Sequence, residues 1–306
     1  MRKKCKNYQL ILEKLSTMHL GDRLLINEPL KKHTTFLIGG ESLFFVYVEN
    51  AEEIQNIINT CKQFDLPYFI LGNGSNVLAD SKGYCGLVIS TFKMQSITVN
   101  DDCIVADAGA KIFQVASQAL QNNLAGMEWS VGIPGTIGGA TKMNAGAFDG
   151  EMSQVIESVE ILTNGQIENI PKQNIFFNYR KSLFTNCKDY VIIRVHLKLH
   201  FDESKKIFAR MESVKAKRIS TQNVGYPSAG SVFNNTEIPP AYMIDRSGLK
   251  GLRVGQAMVS TVHSGFIVNL GNARSVDVWS LINKIRRTIY KEWNENLDLE
   301  IIRLGG

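Results

Sequence analysis

Apolar residues recur along the chain with two periods, and the points where the period changes divide it into elements. Tyr8, Leu12 and Leu15 fall at helical spacing and predict a short N-terminal helix. Residues 44–48 read as a strand, and 51–65 as a helix with Ile54, Ile57, Ile58, Cys61 and Phe64 on one side. Pro67 stops that helix, and 68–71 form a second strand, giving a β-α-β unit that ends in Gly72-Asn73-Gly74-Ser75-Asn76. Residues 77–79 open another extended run. Short strands follow at 87–90, 97–99 and 104–106, then a helix over 112–121. The dipeptide Asn164-Gly165 marks a hairpin between strands 155–162 and 167–170. Over 191–201 the pattern alternates, with Val191, Ile193, Val195, Leu197 and Leu199 inward and mostly charged or His residues outward. A charged helix over 203–220 carries the stripe Ile207, Met211 and Val214 and marks a domain border. Residues 276–293 form another amphipathic helix, capped by Ser275, with Val278, Ile282, Ile285, Ile289 and Trp293 in register. A last strand, 297–304, places Asp298 and Glu300 on one face. No internal repeat is visible.

One stretch fits neither period. Residues 132–150 read GIPGTIGGATKMNAGAFDG, six glycines around one proline. Glycine costs about 1 kcal/mol in a helix interior, so neither an ordinary helix nor a strand is expected there. Successive backbone N–H groups in such a loop form a concave donor surface for phosphate. A pyrophosphate cofactor is a better reading than a tight turn, which needs only one or two glycines. Residues 72–76 form a second glycine loop after a predicted strand. It is not GxGxxG and no clear helix follows, so a plain Rossmann site is not expected. Ser75 and Asn76 supply side-chain donors instead. A third glycine-containing segment spans 226–233.

The 306 residues suggest two or three domains. The net charge of +5 owes much to Arg2-Lys3-Lys4, Lys6 and the stretch 205–218. Neither cluster is interleaved with aromatics as a nucleic-acid platform would be, so both read as solvated faces. Modest positive charge suits an anionic small substrate. Cys5, Cys61, Cys85, Cys103 and Cys187 are odd in number and form no CxxC pair, which fits reduced thiols in the cytoplasm. Residues 8–15 are broken by Gln9, Glu13 and Lys14, so neither a signal peptide nor a membrane span is expected. His196 and His200 share their strand face with Arg194 and Lys198, the wet side, and no metal is expected.

Several segments occur together in one order: 132–150, Tyr179-Arg180, 227–233, Gly248-Leu249-Lys250-Gly251, Phe266-Ile267-Val268-Asn269 and Leu297-Asp298-Leu299-Glu300. This combination resembles the UDP-N-acetylenolpyruvoylglucosamine reductases, flavoenzymes that complete UDP-N-acetylmuramate in bacterial wall synthesis. The resemblance runs from the segment at Thr34-Thr35-Phe36 to Gly305. It implies an α+β fold: a two-part FAD-binding module of the vanillyl-alcohol-oxidase type over 1–200, split near 90, and an α/β substrate-binding domain over 201–306 whose C-terminal strand returns to the active site. It implies a monomer with non-covalent FAD, reduced by NADPH. The flavin N5 then passes hydride to the terminal vinyl carbon of the enolpyruvyl sugar nucleotide. The FAD diphosphate falls to Gly72, Asn73, Gly74, Ser75 and Asn76, with Gly132, Pro134, Gly135, Thr136, Gly138, Gly139 and Asn144. Arg180 and Glu300 match the groups that stabilise the enolate, and Ser231 matches the proton donor. Tyr179, Asn235, Lys250 and His263 match contacts to the nucleotide-sugar, Lys250 taking the diphosphate.

On spacing alone, Arg180 reads as a surface arginine, Ser231 as a turn cap and Glu300 as a solvated strand residue. The chain also departs from the family. Asn73 stands where many relatives have a third glycine, and is tolerated if it takes the left-handed conformation. Lys142 replaces an uncharged, often aromatic residue, while Asn234 and Val262 replace lysines. Ser264 replaces an alanine and Asp298 a glutamate. The short span between Arg180 and Val191 resembles the subclass without an extra substrate-covering loop. Another flavin oxidase of the same fold, using oxygen and a different substrate, is a rival; many of those tether FAD through a histidine near the first glycine loop, but no histidine lies between His33 and His196. A nucleotide-binding protein without catalysis is a second.

Overall fold

The computed structural model describes residues 7–185, 187, 189–222 and 225–306. The basic run at 2–6 and Cys5 lie outside them. Three sheets each organise a core. The first has the order Leu24–Pro29, Glu41–Tyr47, Tyr84–Ser90, Tyr68–Leu71, antiparallel in its first pair and parallel in the other two. Parallel neighbours need a crossover, and the helix Ala51–Gln63 supplies the one leading to Tyr68–Leu71. Asn50 caps it, its Oδ1 accepting from Glu53 N at 2.9 Å. Residues 42–46 are buried without alternation because both faces of this strand are covered.

The second sheet is antiparallel: Gln166–Pro171, Ile156–Thr163, Val191–Lys198, Cys103–Asp107, Ile97–Asn100. Its hairpin turns at Asn164 and Gly165, with φ of +47° and +81°, the primed turn the dipeptide predicts. The alternation over 191–201 is only partial. Ile192 is buried like Val191 and Ile193, because the strand's start is covered on both faces. His196 pairs with Glu160 at 2.7 Å beside Arg194, which reaches Glu160 and Asp107. The helix Ile112–Gln121 packs in this core, and so does Met211 of the helix Ser204–Gln222, whose Ile207 is also buried.

The third sheet runs Ser228–Ser231, Phe266–Asn269, Ala257–Val259, Arg253–Val254, with the helix Ser275–Trp293 against it. Ser275 is the first helical residue and not the cap. Asp277 holds the turn instead by accepting from Arg274 N at 2.9 Å, and this frees Ser275 Oγ to accept from Ser81 N at 3.0 Å.

Two expectations change. The glycine-rich stretch contains a helix, Ile137–Lys142. Glycine is affordable there because the first turn is tied down from outside. Ile137 N donates to Ala110 O at 2.8 Å, and Gly138 N to Ala108 O at 2.9 Å. A Cβ on Gly138 would stand 2.7 Å from Ala108 Cβ. The last strand is also shorter than expected, Ile302–Leu304. Before it the chain changes partner, Asn234 N donating to Asp298 O and Glu300 N to Val232 O, then Ile302 N to Asn76 O. Asp298 is exposed and Glu300 is not, so the two share no environment. Ile302–Leu304 pairs in parallel with Val77–Ala79, joining the chain's end to the first module.

Candidate active site

Both glycine loops are shaped by their own contacts. Gly74 has φ +62°, and a Cβ there would strike the His33 carbonyl; one at Gly72 would strike Thr136 Oγ1. Asn73 is not left-handed. Its amide donates to Pro134 O at 2.6 Å and so ties the two loops together, which is why a side chain replaces glycine here. Thr136 caps the short helix by accepting from Gly139 N at 3.4 Å. Gly139 is different: a Cβ there would meet only Thr136 Oγ1, at 3.4 Å. Asn144, buried at φ +42°, accepts from Ser153 N at 2.9 Å and donates to Asn178 O at 3.1 Å.

That last bond anchors the hairpin Phe177–Asn178 and Lys181–Ser182, whose two-residue loop is Tyr179-Arg180. Arg180 has φ +52°, a conformation that costs about 1–3 kcal/mol outside glycine. The strained turn aims its guanidinium inward. Nε donates to Glu300 Oε1 at 3.0 Å and Nη2 to Gly146 O at 2.7 Å, with the plane 4.7 Å from the Tyr179 ring centre. Burial pushes the Glu300 carboxyl above its ordinary value, and the Arg180 cation only partly offsets this. Burial also raises the Tyr179 phenol, which is hydrogen-bonded to the Asn235 backbone. Glu300 is reached from the first loop too, its carbonyl accepting from Asn76 Nδ2 at 3.0 Å.

Ser231 follows Gly230, which has φ +75° and open space where a Cβ would stand. Its neighbour Val232 accepts from Glu300 N at 2.9 Å. Arg180, Glu300, Asn76 and the Ser231 strand therefore meet in one place. Around the third sheet, His263 Nδ1 accepts from Gly265 N at 3.2 Å, and burial lowers the ring's pKa. Lys250 pairs with Asp245 at 2.8 Å and is not tied to the Arg180 cluster by any hydrogen bond or ion pair among the described residues. Asn235 is exposed. Lys142 is half-buried with its ammonium pKa lowered by burial, and its carbonyl holds Ser182 Oγ at 2.7 Å and Thr185 Oγ1 at 2.8 Å.

Among the described residues two buried polar atoms at the long loop have no hydrogen-bond partner, Thr141 Oγ1 and Arg218 Nη2. Sequence reading passed over both. For Arg218 a signal existed, because 218 continues the stripe 207, 211, 214 onto the inward helix face. The expectation of a solvated face over 205–218 fails at this residue, which is largely covered. Loops tied edge to edge, an open face at Gly139 and orphan buried donors fit a phosphate-bearing cofactor such as FAD.

Residues 42–170 match the FAD binding domain family, and residues 222–304 match the C-terminal domain of UDP-N-acetylenolpyruvoylglucosamine reductase. A UDP-N-acetylenolpyruvoylglucosamine reductase of Clostridium tetani is 42% identical over 287 residues, 93% of each chain. The chain belongs to the UDP-N-acetylenolpyruvoylglucosamine reductase family. A second reductase, from Clostridium perfringens, is 38% identical over 296 residues, 95% of this chain and 96% of that one. The crystal structure of the reductase from Thermus caldophilus superposes with a TM-score of 0.78 at 34% identity, covering 92% of this chain and 98% of that one. Alkyldihydroxyacetonephosphate synthase, 15% identical, superposes with a TM-score of 0.50 over 64% of this chain and 41% of its own, a likeness of fold alone. The fold expected from the reductase resemblance is therefore present: an FAD-binding module of the vanillyl-alcohol-oxidase type and the family's C-terminal domain, in an α+β chain.

Proposed function

We propose that this chain reduces UDP-N-acetylglucosamine enolpyruvate to UDP-N-acetylmuramate, with NADPH as hydride donor and non-covalent FAD, as a cytoplasmic monomer. The observation that carries the proposal is the Arg180–Glu300 pair at 3.0 Å, held where both glycine loops and the Ser231 strand converge. FAD bound here would supply hydride transfer between NADPH and the vinyl carbon of the substrate. Gly72, Asn73, Gly74, Ser75 and Asn76 hold it with Gly132, Pro134, Gly135, Thr136, Gly138, Gly139 and Asn144.

Hydride addition drives charge onto the substrate carboxylate. Arg180 is permanently cationic and forked for a carboxylate, and its strained turn fixes it in advance. Glu300, with its raised pKa, retains a proton further toward neutral pH and assists the same group as a donor. Ser231 gives a proton to the other carbon, with the space beside Gly230 open to the substrate. Lys250 meets the diphosphate, and Tyr179, Asn235 and His263 line the nucleotide-sugar side. The cofactor module over 1–200, split near 90, and the substrate module over 201–306 are part of this reading. The helix Ser204–Gln222, though in the second span, packs on the first. His33 supports non-covalent attachment: its nitrogens are engaged by Glu28 at 3.0 Å and Tyr47 at 3.3 Å, and its ring stacks on Phe45.

Ser231→Ala tests the assignment by dividing the cycle. Anaerobic stopped-flow absorbance should show the flavin bleached by NADPH at the parent rate. Reoxidation by the enolpyruvyl sugar nucleotide should slow by about 10²–10⁴, the usual loss for a positioned acid. Equal slowing of both halves would make the serine structural. A parent flavin that the sugar nucleotide fails to reoxidise would overturn the function.

A further inference from the structure

We infer that Arg218 is a cofactor residue whose free Nη2 donates to an anionic oxygen of bound FAD. The inference rests on reading residues 132–150 as the cofactor loop. Arg218 lies near the C-terminal end of the helix Ser204–Gln222 and points at both ends of that loop. Nε donates to Val131 O at 2.9 Å and Nη1 to Gln222 Oε1 at 2.9 Å. The guanidinium stands 5.0 Å from the centre of the Phe148 ring. Gly132 makes room for the stem, since a Cβ there would come within 2.7 Å of Arg218 Cδ. Phe148 itself sits at φ +49° and Asp149 at φ +67°, in the two-residue loop joining Gly146–Ala147 to Gly150–Glu151. An aromatic residue in that conformation is strained, and here it seats the guanidinium.

Three sides of the fork are thus fixed and the fourth is spare. Among the described residues Nη2 is buried with no acceptor. Among the described residues no carboxylate pairs with Arg218, and burial alone pulls its pKa down. A partly buried cation with a buried, unpaired Nη2 is costly, so a protein that holds one so rigidly gains from a partner that its described residues do not supply. Beside a cofactor loop, that partner is an oxygen of FAD. Two parts of FAD carry such oxygens: the diphosphate, and the flavin edge that becomes negative on reduction.

The test strips FAD from the parent, Arg218→Met and Arg218→Gln and titrates it back. Both variants should bind FAD at least ~10-fold more weakly, the direction expected when a buried charge-assisted bond is lost. Their FAD-dependent rise in melting temperature should shrink, while the FAD-free proteins melt no earlier than the parent. If the oxygen is on the diphosphate, oxidised and reduced FAD weaken alike and the midpoint potential holds. If it is on the flavin, the reduced form weakens more, and each tenfold difference lowers the potential by about 30 mV. Parent-like FAD affinity, potential and thermal increment in the variants would overturn the inference. Earlier melting of the FAD-free variants with an unchanged increment would assign Arg218 to packing. The parent supplies an independent readout: the nitrogen-NMR signal of the Arg218 guanidinium should move on FAD addition, and an unmoved signal also overturns it. A parent that binds no FAD would instead remove the cofactor reading itself.

Discussion

Glu300 shows how one side chain's burial sets both chemistry and stability. Its carboxyl is pushed above the ordinary 4.5 because burial outweighs the attraction of Arg180. Glu300→Gln should therefore lower turnover, by about 10²-fold if the group acts only on charge that develops in the transition state, with KM little changed. A rise in KM alone would make it a binding residue. The sign of its effect on stability also follows. A carboxyl with a raised folded pKa supports folding most fully below 4.5, and withdraws that support as pH rises through the folded value. Thermal melts from pH 4 to pH 8 should show the parent losing ground to Glu300→Gln as pH rises. A constant gap would contradict the burial argument. At this scale the sequence was an uneven guide. Arg180 and Glu300 stand out only through the motif order, since their partnership spans 120 residues. Asn73 was expected to take a glycine's conformation and instead makes a cross-loop bond, which no single-residue preference encodes.

Among elements, periodicity marked the helices Ala51–Gln63, Ile112–Gln121 and Ser275–Trp293 and the Asn164-Gly165 hairpin, because burial against a sheet follows from the local stripe. It failed on the helix Ile137–Lys142, whose stability comes from backbone bonds to Ala108 and Ala110, some thirty residues earlier, and not from its glycine-rich sequence. The same feature makes a prediction. In Gly139→Val the new Cβ meets only Thr136 Oγ1, at ordinary contact distance, so the fold should survive. Flavin content on purification should nevertheless collapse, because the side chain fills the space proposed for the diphosphate. Circular dichroism and the flavin-to-protein absorbance ratio check the two halves. A folded variant with full flavin content would remove this helix from the cofactor site. The helix Ser204–Gln222 carries the other lesson: its charge hides a stripe that ends on Arg218.

For the whole molecule, residues from both glycine loops, the Tyr179-Arg180 hairpin and the third sheet converge on Glu300 and Arg180, and no residue described there calls for a covalent tether. Acid or heat denaturation should release the yellow cofactor into the supernatant. Flavin remaining with the precipitate would contradict non-covalent binding and would turn attention to His33. Among the described residues no helix is long and apolar enough to cross a membrane. The three larger sheets were partly legible, since each draws its strands from a contiguous stretch of chain. The joints were not, because they are made by single residues such as Ser275, Asn76 and Thr35, whose Oγ1 donates to Ser228 O at 2.7 Å.

The parallel pairing of Ile302–Leu304 with Val77–Ala79 carries a consequence in time. Asn76 and Glu300 are 224 residues apart. Closing so long a loop adds little to the equilibrium cost, because that cost grows only logarithmically with length. It does set an order of events, since a chain made from its N-terminus can form both glycine loops long before residue 300 exists. The cofactor cradle comes early and the carboxylate beside Arg180 comes last. An unfinished or partly folded chain can therefore hold the loops' geometry while lacking the carboxylate partner of Arg180, and on the role proposed for Glu300 competence for turnover waits for that residue.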